Sequence, residues 1–79
     1  MKNPSDPKFF TNRALCQLKL RHWDDGADDC RHALELDPTS IKAHFFLGHT
    51  LMEEERYDEA IHSFRRGKNN LSHSIPIHI

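Results

Sequence analysis

The sequence predicts an all-α fold in which four antiparallel helices form two helical hairpins. With 79 residues, of which 37% are hydrophobic and 29% charged, the chain is expected to form one small domain. Valine is absent and threonine is scarce, so the composition disfavours a sheet built on β-branched residues. The second half of the chain repeats the first at a fixed offset, which aligns positions of matching size or charge. This repeat offset pairs Trp23 with Tyr57, Asp24 with Asp58, and Gly26 with Ala60.

The first helix is predicted to begin at Pro7 and to run to about Leu20. Proline is favoured in the first turn of a helix, because the amide that it lacks would have no partner there. Ser5 and Asp6 stand just before it, and either side chain can cap the exposed amides.

The second helix is predicted to follow at once and to end before Pro38. Asp24 and Asp25 fall in its first turn, where carboxylates complement the positive end of the helix dipole. Proline cannot continue a helix, so the segment closes after Leu36 and Asp37 and completes the first hairpin.

The second hairpin is predicted from the same signals, one repeat offset further on. Thr39 or Ser40 can cap a third helix over residues 41–54. Asp58 and Glu59 start a fourth helix, which is expected to fade near residues 69–70. Pro76 interrupts the alternating isoleucines of residues 75–79, so this tail is expected to be extended or disordered.

Small residues are predicted to lie where the two helices of a hairpin cross. These residues are Ala14, Gly26, Gly48 and Ala60. Larger side chains at helical spacing are expected to fill the remaining space between the helices. They include Phe10, Leu18, Cys30, Leu47, Leu51 and Phe64.

Composition argues against several classes of function. The net charge is −1, without the basic excess typical of nucleic-acid binding, and Arg65-Arg66-Gly67-Lys68 is interpreted as favourable charge at a helix end. No apolar run approaches the ~20 residues that span a bilayer, and residues 1–8 carry no hydrophobic signal core. We therefore expect no nucleic-acid or membrane partner and a location in the cytoplasm, with the nucleus as an alternative.

Neither a metal site nor an active site is predicted. The seven histidines never fall three or four residues apart, so they are expected at the surface and not as metal ligands. Cys16 and Cys30 have no paired ligand spacing and are expected as reduced thiols on packing faces. Ser63 and Ser72 have no evident histidine and acid partners, so no catalytic residue and no cofactor is expected.

The repeated helical hairpin, with its small, aromatic and proline positions in this order, resembles the tetratricopeptide repeat. The segments Phe10-Thr11-Asn12-Arg13-Ala14-Leu15-Cys16 and Lys42-Ala43-His44-Phe45-Phe46-Leu47-Gly48 resemble repeats of the co-chaperone ubiquitin ligases called CHIP. The resemblance implies a short right-handed α-solenoid without the first repeat and the U-box of that family. Its expected parts are a lead over residues 1–6, repeats over residues 7–40 and 41–74, and a tail over residues 75–79.

The same resemblance implies a partner and a set of binding residues. In this family the first helices of the repeats line a groove for the acidic C-terminal tails of seventy and ninety kilodalton heat-shock chaperones, which end in Glu-Glu-Val-Asp. Asn12 and Lys42 match the family's carboxylate clamp, and Phe45 and Phe46 match its apolar contacts. Adjacent helical positions point about 100 degrees apart, so at least one ring should pack inside, and Phe46 is expected in the groove.

Further contacts and a second class of function remain open. Lys8 and Arg13, on the same helix as Asn12, are accessory candidates for binding the peptide. Two repeats leave apolar end faces uncovered, which predicts self-association. The alternative function is a structural adaptor that pairs with another protein through these faces and ignores a free carboxylate. In either case this chain is expected not to be an enzyme.

Overall fold

A computed structural model describes the backbone of residues 5–74 and the side chains of residues 5–70. Four helices follow one another, with no strand among the described residues. They are α1 (Pro7–Lys19), α2 (Trp23–Leu36), α3 (Ile41–Glu53) and α4 (Tyr57–Ser74). The predicted all-α fold of two hairpins is confirmed. Residues 1–4 of the predicted lead and the tail over residues 75–79 lie outside the described part.

The starts of α1 and α3 are capped by side chains that the sequence predicted. Oδ1 of Asp6 accepts a hydrogen bond from the backbone amide of Lys8 at 2.9 Å, and Pro7 follows Asp6 as the first helical residue. At α3, Oγ of Ser40 accepts from the backbone amide of Ala43 at 3.2 Å. Each cap satisfies an amide that has no partner inside its helix.

The two turns inside the hairpins have the same geometry. At the end of α1, the amide of Arg21 donates to the carbonyl of Leu18, and the amide of His22 donates to that of Gln17. The corresponding bonds close α3 in the second repeat, with Glu55 in the position of Arg21. Both turn residues have left-handed backbones, with φ of 63° and 62°, in the position where helix ends usually place glycine.

The core lies between the helices and is made mainly of small residues. Helix α1 packs on α2, α3 packs on α4, and α2 joins the two hairpins through its contact with α3. The four small residues expected at the crossings are all buried. The buried apolar residues of the described chain are Ala14, Ala27, Cys30, Ala33, Ala43, Leu51 and Ala60. Small side chains let the helix backbones approach closely, as the sequence predicted.

Helix α4 is longer than predicted. It was expected to fade near residues 69–70, yet it continues to Ser74. Asparagine is only a few tenths of a kcal/mol worse than the average helix former, so two asparagines do not end a helix that is already propagating.

Two expectations about individual side chains are corrected. His44 was expected at the surface, but it is buried, with its Nε2 atom 2.9 Å from the carbonyl oxygen of Pro38. Cys16 was expected on a packing face, but it is exposed, while Cys30 is buried. Ala14, two residues before Cys16, faces the core, and a shift of two helical positions turns the next side chain to the opposite side.

None of the helices within residues 5–74 is long and apolar enough to cross a membrane.

Candidate peptide-binding pocket

A pocket of about 300 Å³ lies beside the first turns of α1 and α3 and the turn that joins α2 to α3. Its lining combines two lysines, two aspartates and smaller polar groups. The lining residues are Asp6, Pro7, Lys8, Thr11, Asn12, Asp37, Ser40 and Lys42. Asn12 and Lys42, which belong to different repeats, are therefore brought to one pocket, together with Lys8.

The repeat explains why these side chains meet. Lys8 and Lys42 are separated by the repeat offset, and each is the second residue of its helix. Asn12 follows Lys8 by four positions, so the two side chains lie on one face of α1, one turn apart. Because α1 and α3 are the first helices of their hairpins, equivalent positions on them face the same region.

The acidic and hydroxyl side chains of the pocket are occupied by local structure. Asp6 and Ser40 cap the helices, and Oδ1 of Asp37 accepts from the amide of Thr39 at 3.1 Å and from its hydroxyl at 2.7 Å. The side chains of Lys8, Asn12 and Lys42 are exposed. None of these three side chains makes a hydrogen bond or an ion pair with any of the described residues, so their donors are available to a ligand.

The helix ends at the pocket carry unusual charge. The first turns of α2 and α4 contain aspartate or glutamate, whereas those of α1 and α3 contain no acidic residue. Asp6, the N-cap of α1, places a carboxylate at the positive dipole end of that helix, whereas α3 has only the hydroxyl of Ser40 there. The dipole end of α3 and the ammonium groups of Lys8 and Lys42 both favour an anion in the pocket.

The two predicted phenylalanines lie apart from the lining of this pocket. Phe45 packs against α4: its ring centroid lies 6.1 Å from that of Phe64, and it also closely approaches the backbone of Gly67. Phe46, on the next position of α3, is half-buried. Phe45 is thus the ring that packs between the helices, and the groove contact of Phe46 stays a prediction.

Arg13 is committed to the fold. Its Nε and Nη2 atoms donate to the two carboxylate oxygens of Asp29 on α2, at 2.9 and 2.8 Å. The guanidinium also lies over the rings of Phe9 and Phe10, 5.1 and 5.6 Å from their centroids. Hydrogen bonding to Asp29 raises the pKa of Arg13, so its charge is retained. The accessory candidate Arg13 therefore joins α1 to α2, and its fork of donors is already used.

A second cleft of about 400 Å³ adjoins the pocket along α1. Its lining shares Asp6, Lys8 and Asn12 with the pocket and adds Phe9, Arg13 and Cys16. Sequence reasoning did not assign Asp37 or Thr11 to the site, although both line the pocket. Asp37 could have been found from its position in the turn before α3. Thr11 could have been found because it stands next to Asn12 in the sequence.

The part of the chain that the structure describes contains no group of three histidine, cysteine, aspartate or glutamate side chains that could hold a metal ion.

Comparison with known proteins gives relatives that contain repeat regions of this kind. A ubiquitin ligase of Arabidopsis thaliana, "E3 ubiquitin-protein ligase CHIP", is 36% identical over 81% of this chain and 23% of its own length. The "Small glutamine-rich tetratricopeptide repeat-containing protein 2" of Mycosarcoma maydis is 37% identical over 82% of this chain and 18% of its own.

A third relative, "Hsp70-Hsp90 organizing protein 2" of Arabidopsis thaliana, is 35% identical over 84% of this chain. The chain spans between 12% and 23% of the lengths of these three relatives. No family model matches the chain.

Proposed function

The chain is a tetratricopeptide repeat region that resembles that of CHIP, and on this premise we propose that it binds the C-terminal tails of heat-shock chaperones. The partners are the seventy and ninety kilodalton classes, and the bound group is the acidic tail end, Glu-Glu-Val-Asp. The similarity to an Hsp70-Hsp90 organizing protein supports the choice of partner.

The observation that carries the proposal is the pocket beside the first turns of α1 and α3. Asn12 and Lys42 offer it an amide and an ammonium that have no partners within the described residues. A C-terminal carboxylate and an aspartate side chain need several converging donors, and hydrogen bonds to charged groups are the strong ones. In this proposal the two residues form a partial carboxylate clamp, and Phe46 contacts an apolar side chain upstream of the tail end.

The proposal extends to what the binding achieves. The chain would recruit clients that are bound to a chaperone, and a U-box outside these residues would attach ubiquitin to them. The chain itself would supply binding and no catalysis, in the cytoplasm. The resemblance to the ubiquitin ligase CHIP supports this extension.

The test is a calorimetric titration with a peptide that ends in Glu-Glu-Val-Asp and with its C-terminally amidated twin. We expect the free acid to bind more tightly than the amide. The variants Asn12→Ala and Lys42→Ala should each weaken binding of the free acid about fivefold to twentyfold, the discounted value of one charge-assisted hydrogen bond at an exposed site. Lys19→Ala, which removes a lysine from the last turn of α1, is the matched control.

A second candidate function is supported by the exposed ends of the hairpin array. Tyr57 and Ile61, on α4, are 52% and 50% exposed. Their counterparts in the first repeat are Trp23, which contacts His49 of α3, and the buried Ala27. We propose that this face of α4 can pair with another protein or with a second copy of the chain. An adaptor of this kind would bind its partner equally well whether the partner's C-terminus is free or amidated.

A further inference from the structure

The starts of α2 and α4 carry equivalent pockets, and the pocket at α4 has one lining residue fewer. The pocket at the start of α2, of about 390 Å³, is lined by residues 21–25 and by Glu54 at the end of α3. The pocket at the start of α4, of about 350 Å³, is lined among the described residues by residues 55–59 alone. These five positions are residues 21–25 moved by the repeat offset, so the counterpart of Glu54 is what the second pocket lacks.

The counterpart of Glu54 in the first repeat is Leu20, which lies at the end of α1 and is 63% exposed. Building on the second candidate function above, we propose that Leu20 of a second copy of the chain completes the pocket at the start of α4. The end of α1 in one copy then packs at the start of α4 in the next, as α3 packs on α2 within one chain. The two ends of such a stack each keep one face free, so the association is head to tail and open-ended.

The surfaces that meet in this stack correspond to the junction between the two repeats, where α2 packs on α3. On α3, Thr50 is fully buried, whereas its counterpart Cys16 on α1 is exposed. On α2, Ala27 is buried, whereas its counterpart Ile61 on α4 is half exposed. The α1 face and the α4 face are thus the two faces of a repeat junction without their partners, and a second copy supplies the partner of each.

An apolar pair forms where the copies meet. Within the chain, Trp23 of α2 contacts His49 of α3, with 6.0 Å between the ring centroids. The counterparts of these two residues are Tyr57 on α4 and Leu15 on α1, which are both exposed. Contact between them in the stack removes apolar surface from water, which favours association.

Charge favours this contact between copies over other arrangements. Within the chain, the glutamates of residues 53–55 end α3 close to the aspartates of residues 24–25, so both sides of the junction are acidic. Between copies, Lys19 and Arg21 at the end of α1 face the acidic residues 58–59 in the first turn of α4. Opposite charges on the two faces select the head-to-tail contact, because two α4 faces would bring acidic first turns together.

The test uses two variants, each of which blocks one face. Leu20→Glu blocks the α1 face, and glutamate suits this position because Glu54 occupies the same position at the end of α3. Ile61→Glu blocks the α4 face. Each variant alone should be monomeric in sedimentation velocity at concentrations where wild type forms dimers and larger species. An equimolar mixture of the two variants should form a one-to-one dimer and nothing larger, because each variant supplies one intact face.

The possible results separate this inference from the functions proposed above. If Leu20→Glu associates like wild type while Ile61→Glu is monomeric, two α4 faces pair with each other and the head-to-tail contact is overturned. The contact is also overturned if the mixture stays monomeric while wild type associates. A wild type that is monomeric throughout overturns this inference together with the pairing of copies in the second candidate function.

Two further measurements complete the design. A cooperative thermal transition of each variant shows that it is folded, so a monomeric mixture cannot be attributed to unfolding. Leu20 and Ile61 do not line the pocket beside the first turns of α1 and α3. Both variants should therefore bind the Glu-Glu-Val-Asp peptide as wild type does, and that titration tests the binding of chaperone tails separately.

Discussion

Cys16 and Cys30 differ sharply in chemical environment. Cys16 is exposed in the cleft beside the pocket, whereas Cys30 is fully buried, and burial, followed by the charge of Asp29, raises the pKa of Cys30 to about 12. At pH 8.5 less than about one in a thousand Cys30 thiols would be ionised, and the thiolate is the reactive form. Iodoacetamide should therefore modify Cys16 alone in the folded chain, as measured by mass spectrometry.

Unfolding provides the control for this labelling experiment. In denaturant both cysteines should react, so the mass should rise by two adducts. A folded chain that gains two adducts at similar rates would contradict the burial of Cys30. The variant Cys16→Ala should gain none while folded.

Glu54 faces Asp24 at the junction of α2 and α3. A hydrogen bond with Asp24 raises the pKa of Glu54, and burial and the negative charge of Asp24 raise it further. The folded state therefore favours protonated Glu54. The stabilisation is fully present below the unfolded pKa and is lost as pH rises through the higher folded pKa.

We expect Glu54→Gln to raise the free energy of unfolding at pH 7, by less than about 1 kcal/mol because the site is partly solvated. Glutamine keeps the hydrogen-bonding side chain without the charge. The difference from wild type should shrink as the pH falls below about 4.5 in urea unfolding experiments. A difference that is constant with pH would contradict the pairing of the two carboxylates.

Predictions for single residues succeed where the role of the residue depends on its own helix. They fail where the role depends on side chains from other helices. The caps of α1 and α3 could each be narrowed to two neighbouring residues, which include Asp6 and Ser40, because a cap needs only its own helix. The exposure of Cys16 and the burial of His44 depend on which other helices pack against α1 and α3. A single sequence predicts this packing only approximately. Arg13 was predicted as an accessory residue for binding the peptide because its hydrogen-bond partner, Asp29, lies on another helix and was not predicted.

At the scale of the elements, the two hairpins use different side chains for the same crossing. In the second hairpin Gly48 lies against Phe64, and a Cβ atom added to Gly48 would lie 2.5 Å from the ring. In the first hairpin the equivalent positions hold Ala14 and Cys30, both with no exposed surface. A larger residue on one helix is thus matched by a smaller residue on the other.

Gly48→Ala should destabilise the chain, because the Phe64 ring has to move. Overpacking lowers the free energy of unfolding by about 1 to 3 kcal/mol, and the better helix propensity of alanine raises it by about 1 kcal/mol. We expect a net loss of about 1 kcal/mol in the free energy of unfolding, measured by urea denaturation. Adding Phe64→Cys should be less harmful in the Gly48→Ala background than in wild type, since the pair then matches the first hairpin.

Gly26 provides the matched control for that substitution. A Cβ atom there would lie 3.5 Å from Leu18 and 3.6 Å from Gln17, which are ordinary contacts. Gly26→Ala should be neutral or stabilising by up to about 1 kcal/mol. Equal losses from both alanine variants would contradict a specific clash with Phe64.

Element boundaries were predictable to within one or two positions, except at the end of α4. Capping residues and acidic first turns marked the starts of the helices, and Pro38 marked the end of α2, with local chemistry. The end of α4 has no such signal before Pro76, so weak helix formers were mistaken for a stop.

At the scale of the whole molecule, the exposed face of α4 predicts self-association. Ile61→Glu should shift any dimer or larger species towards monomer, because it places a charge on the face of Tyr57 and Ile61. Sedimentation velocity over a range of concentrations measures this shift. His62→Glu adds the same charge to the next position of α4 and should have a smaller effect. A wild-type chain that stays monomeric throughout would contradict the prediction.

The arrangement of the four helices was predictable because residues of matching size or charge recur at a fixed offset in the sequence. The fixed offset between Trp23 and Tyr57 implies that the second hairpin copies the first, and helix packing then follows. The candidate site was harder, since it depends on α1 and α3 meeting beside the intervening turn. Only the resemblance assigned Asn12 and Lys42, and it did not supply Asp37, which occupies that turn.

The left-handed turn residues Arg21 and Glu55 lie at the far ends of α1 and α3 from the pocket. A helix of this length separates the two ends by roughly 20 Å. An ordinary residue in this conformation costs about 1 kcal/mol that glycine would avoid. A substitution at these turn residues can therefore change the stability of the chain at one end while leaving the pocket at the other end unchanged.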